Sequence, residues 1–152
     1  LTAVAIVLNI LESFIPFFNI PGIRIGLANI IILSILYVYG IKEAIYVSIL
    51  KVLIVGILRT GLFSTTFLFS LSGAIVSLIM MFLAKKTNIF SIIGVSIVGA
   101  ISHSIGQIIM AYIILRNSSV YLYLPILLIV SIITGIFVGI ISKEIVKYLK
   151  NN

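Results

Sequence analysis

The sequence holds no cysteine, no tryptophan and no aspartate, one histidine, three glutamates and three prolines. Without thiols there are no disulfides, thiolate metal sites or cysteine nucleophiles. One histidine and three carboxylates leave few ligands for a metal. No glycine-rich loop ends in Lys-Ser or Lys-Thr, so nothing can cradle ATP phosphates as a P-loop does. Charge is scarce as well: 9% of residues are charged and 62% are hydrophobic. A soluble domain carries about 25% and about 45–50% respectively. A body of 16.6 kDa leaves much of its surface wet and could not hide so much apolar area in water. The expected solvent is therefore the lipid bilayer.

The net charge of +7 raises nucleic acid as a partner, but that needs basic residues clustered on one wet face. Here they sit scattered at the ends of apolar runs, which excludes it. Breaks in those runs predict six membrane helices, each needing roughly 20 mostly apolar residues. The segments are the start to about Ile15, then about Ile23–Tyr39, Lys42–Arg59, Leu62–Leu83, Phe90–Leu115 and Tyr121–Ile141, with a polar tail beyond. The runs are too long for barrel strands and do not alternate, and helices satisfy their own backbone in lipid. The expectation is an all-α integral membrane protein, one six-helix domain over 1–152. It opens on Leu1 rather than Met, so native N-terminal residues are expected to be missing.

Lys42, Lys85, Lys86, Lys143, Lys147 and Lys150 fall on one side of this topology, and Arg24, Arg59 and Arg116 on the other. Positive charge marks the cytoplasmic side, so both termini are expected inside a cell membrane. Lys51 belongs to neither side. Ionisable groups within membrane helices face an interior or a water-filled cavity. On that ground Lys51, Arg59, Glu12, His103, Gln107, Arg24 and Asn29 are the candidate substrate-binding residues, converging on one outward cavity. The cations outnumber Glu12 by two, so a small anionic or amphipathic ligand is the expected partner. Phe14, Phe17, Phe18, Phe63, Phe67, Phe69, Tyr112, Tyr121 and Tyr123 lie near the outer ends. They suit either an interfacial belt or an aromatic lining of the pocket. Gly135 and Gly139 form a GxxxG pair expected to serve packing.

The run Leu11-Glu12-Ser13-Phe14-Ile15-Pro16, with Pro21-Gly22-Ile23-Arg24-Ile25-Gly26-Leu27-Ala28-Asn29, resembles the bacterial "Gx transporter" family. That family is often labelled heptaprenyl diphosphate synthase component I. The stretches Gly99–Gln107, Phe67–Gly73 and Thr134–Gly139 are similar to its pattern too, so the likeness covers nearly the whole chain.

The family itself resembles the S components of energy-coupling factor (ECF) vitamin transporters, six-helix bundles that capture a substrate from outside. The resemblance implies a transmembrane coupling subunit and two cytosolic ATPases as partners. ATP would be hydrolysed by those partners, and no cofactor or catalysis is expected in this chain. The enzyme label fits the residues poorly, since prenyl diphosphate synthases use aspartate-rich motifs to hold magnesium against diphosphate, and magnesium binds through carboxylates. A noncatalytic membrane accessory of prenyl diphosphate or quinone metabolism, or a stand-alone oligomeric carrier, are the alternatives.

Overall fold

The structure, a computed structural model, describes residues 2–12 and 26–151, apart from the side chain of residue 60. Among the described residues there are six α-helices and no strand. They are α1 (Thr2–Glu12), α2 (Leu27–Val38), α3 (Ile41–Val55), α4 (Thr65–Lys86), α5 (Ile92–Leu115) and α6 (Leu124–Asn151). A π-helical turn (Gly56–Thr60) continues α3, and a 3-10 segment (Ser118–Tyr123) leads into α6. Ser64 caps α4 by accepting from the Phe67 N–H at 3.1 Å. Ser91 does the same for α5, accepting from the Gly94 N–H at 3.2 Å. Each hydroxyl satisfies one of the donors that a helix start leaves without a partner.

The sequence predicts six membrane-crossing helices. Among the described residues, three segments are long and apolar enough to do so by length and composition: α4, α5 and the Ser118–Asn151 stretch that contains α6. The apolar helices α1 and α2 are shorter. At 1.5 Å per residue, the 12 residues of α2 reach about 18 Å, against a hydrocarbon core of about 30 Å. Conversely, α6 does not stop with its apolar run at Ile141 but continues to Asn151. Its inner face explains this, because Ser142 and Val146 are buried and the Ser142 hydroxyl donates to the Ile30 carbonyl of α2 at 3.3 Å.

Small residues set the packing of the three long helices. A Cβ on Gly135 would lie 2.8 Å from the Cα of Ile97, and one on Gly139 would lie 2.7 Å from the Cα of Ile93. The GxxxG face of α6 therefore rests directly on the α5 backbone, as close helix approach requires. On the other side of α5, a Cβ on Gly106 would meet the Ser72 carbonyl oxygen of α4 at 3.0 Å. The Ser72 hydroxyl donates to the Gly106 carbonyl at 2.8 Å across the same seam. Helix α2 fills the remaining core, buried continuously from Ile30 to Leu36. Its C-terminal end is held by Lys85, whose ammonium donates to the Leu36 carbonyl at 2.6 Å and lies 4.9 Å from the Tyr37 ring centre.

Candidate functional site

A cavity of about 80 Å³ lies between the helices, and all six contribute to its wall. That is room for several waters. Its polar side chains divide by origin. Asn9 and Glu12 come from α1, Asn29 from α2 and Lys51 from α3, while His103 comes from α5. Hydroxyls from the long helices complete the ring: Ser70 and Ser77 of α4, Ser96 and Ser104 of α5, Ser131 and Thr134 of α6. Phe67, Met81 and Val138 supply apolar wall.

Lys51 is 5% exposed, and its ammonium donates to the Asn29 side-chain oxygen at 3.4 Å. Helices α1 and α2 meet here for a local reason. Gly26, the residue before α2, has φ of 82°, a left-handed conformation that glycine adopts without Cβ strain. The backbone N–H groups of Gly26 and Leu27 both point at Glu12. The Glu12 carboxylate accepts from them at 2.5 and 3.1 Å. An acidic side chain at a helix N-terminus satisfies open donors and meets the positive end of the helix dipole. Glu12 is thus a cap supplied by one helix to the next, and it is 6% exposed.

Of the seven residues nominated from the sequence, Glu12, Asn29, Lys51 and His103 share the cavity wall. Gln107 is buried but not on that wall; with His103 it covers the bare face of Gly73, where a Cβ would lie 3.0 Å from Gln107 Cγ and 2.9 Å from the His103 ring. Arg59 departs from the expected convergence. It is exposed, like Ile57 and Leu58 beside it in the π-helical turn. Arg24 lies outside the described residues, as do Phe14, Phe17 and Phe18. The aromatic lining reduces to Phe67 among the described residues. Phe63, Tyr112, Tyr121 and Tyr123 are exposed, in the manner of an interfacial belt. Among the described residues no group of three or more His, Cys, Asp or Glu could hold a metal ion.

The sequence reading missed Asn9 and the hydroxyls. Asn9 stands three residues before Glu12, on the same face of α1, and that spacing was the available signal. The Ser104 and Ser131 hydroxyls lie 2.6 Å apart, and Ser131 also donates to the Leu127 carbonyl at 2.6 Å. Serines that bond their own helix backbone leave no trace in an apolar pattern.

A family model described as heptaprenyl diphosphate synthase component I matches residues 1–145 of the chain. No curated protein and no solved structure matches it.

Proposed function

From the premise that the chain belongs to the heptaprenyl diphosphate synthase component I family, we propose that it is a noncatalytic, membrane-embedded binding subunit for a small anionic solute. In this reading it resembles an S component of an ATP-driven uptake transporter in a bacterial cell membrane, with both termini cytoplasmic. It captures its solute from the outer face. A transmembrane coupling subunit and two cytosolic ATPases supply the energy, and ATP is hydrolysed there.

The observation that carries the reading is Lys51, almost fully buried on the wall of a cavity built by every helix. A cation in a low-dielectric bundle is costly unless it meets an opposite charge or a polar site. Lys51 neutralises the solute's acid group, and Asn29 and His103 orient its polar edges. Arg59, exposed beyond the bundle, attracts the anion without clamping it; Arg24 is assigned the same part. The hydroxyl lining favours a compact polar solute over a large amphipathic one.

The family's description supports a second reading, an accessory membrane subunit of prenyl diphosphate or quinone metabolism, with catalysis carried by a partner. Extraction from native membranes followed by native mass spectrometry tests both. The first reading expects a small acidic molecule bound to the wild-type chain and lost from Lys51→Met at unchanged melting temperature, with ATPase subunits copurifying. A copurifying lipid-metabolic enzyme favours the second. A homo-oligomer without solute or partner contradicts both.

A further inference from the structure

The start of α2 lies inside the bundle. A Cβ on Gly26 would come within 3.6 Å of Val138 on α6, and Gly26 and Asn29 both line the cavity. Two successive backbone N–H groups and the positive end of a 12-residue helix thus converge on one point, and the Lys51 ammonium, bonded to Asn29 in the first turn of the same helix, lines the same cavity. Such a point attracts a two-oxygen anion. It already holds one, since both Glu12 oxygens are engaged there.

A second observation points to a ligand. Asn9 is 9% exposed, lines the same cavity, and its side-chain oxygen has no hydrogen-bond partner among the described residues. A buried acceptor left without a donor costs its desolvation, so the occupant that completes the cavity brings an N–H or O–H. Gly26, Leu27, Asn29 and Lys51 handle the acid, and Asn9 the donor.

We propose that the first turn of α2 together with Lys51 is a carboxylate subsite, that Glu12 is its resident occupant, and that a solute carboxylate bearing a nearby hydrogen-bond donor displaces Glu12 on binding. This rests on the binding role proposed above and names the chemistry of that site. Glu12 is then a competitor of the solute rather than one of its ligands. Displacing it breaks the hydrogen bonds from the start of α2 to α1, so the acid group of the solute takes over a capping role the protein otherwise fills itself.

Chemical rescue tests this. In Glu12→Ala, purified in lipid nanodiscs, the vacated subsite should take acetate. The melting temperature is expected to rise saturably with acetate, at ionic strength held constant with sodium chloride, and to stay flat in chloride alone. The wild-type chain, its subsite filled, should not respond, and Glu12→Ala combined with Lys51→Met should lose most of the response. Glycolate, which adds a hydroxyl donor to acetate, should reach half-saturation at lower concentration, and Asn9→Ala in the Glu12→Ala background should remove that advantage. A shift no larger with acetate than with chloride overturns the proposal, and equal half-saturation by acetate and glycolate overturns its donor requirement. Should Glu12→Ala fail to fold on extraction, acetate present from lysis onward should recover folded protein; failure to do so also overturns it. Solute lost from Lys51→Met without acetate rescue in Glu12→Ala would place the acid group away from α2 while leaving the binding role standing. Rescue without any copurified solute would keep the subsite and remove that role.

Discussion

The two halves of the bundle are built by opposite rules. Helices α4, α5 and α6 are long and apolar, and they meet through glycines so close that a single Cβ would strike a neighbouring backbone. Their polar contributions to the cavity are hydroxyls and one histidine. Among the described residues, α1, α2 and α3 are shorter, 11 to 15 residues before the π-helical turn that continues α3, and they bring Glu12, Asn29 and Lys51 to the same cavity. One half holds its shape by van der Waals packing. The other brings charge to a place where charge is costly. The difference teaches that ionic chemistry is kept away from the seams that hold the long helices together, so function and folding should separate on substitution.

Substitution of Gly135 and Gly139 together by Val should have the largest effect. Each added side chain would overlap the α5 backbone, and overpacking costs about 1–3 kcal/mol per site or more. The double variant is expected not to accumulate as folded protein, read by size-exclusion monodispersity after extraction. Folded protein of wild-type melting temperature would break the scaffold side of the comparison.

On the charged side, Lys51→Met should weaken solute affinity about tenfold or more. A hydrogen bond to a charged group is worth about 1.5–3 kcal/mol, and 1.4 kcal/mol is tenfold. Melting temperature should hardly move. Native mass spectrometry at graded collision energy measures the first and a thermal scan the second. A large loss of stability with retained solute would make Lys51 a structural residue.

Ser104→Ala and Ser131→Ala sharpen the boundary, since these hydroxyls bridge α5 and α6 at 2.6 Å while also facing the cavity. A double-mutant cycle on unfolding should give a coupling near ~0.6 kcal/mol. The smallest effect is expected for Arg59→Gln. Exposed positions change free energies by about 0.5 kcal/mol at most, or roughly two-fold in affinity. A tenfold loss would place Arg59 in the site after all.

Much of this was legible in the sequence because polar residues in apolar runs have few places to go. Lys51, Asn29, His103 and Glu12 are nominated on that ground and share the cavity wall, and the packing role of the α6 GxxxG face follows from spacing alone. What Glu12 does was not legible, since its partners are backbone N–H groups beyond the intervening 13–25 segment. Arg59 groups with Lys51 in the sequence because a helical repeat counts turns but does not say which of them are covered. The extension of α6 to Asn151 was hidden by its lysines, whose opposite face buries Ser142 and Val146 against the bundle. Asn9 escapes that reading, although its three-residue separation from Glu12 puts both on one face of α1.

The most direct test of the account is an experimental density map of the chain purified with its native lipids. The account predicts density for a compact solute in the cavity, within hydrogen-bonding distance of the Lys51 ammonium and the first turn of α2. A cavity filled by a lipid tail, or a Lys51 side chain turned out between helices toward the bilayer, would contradict it.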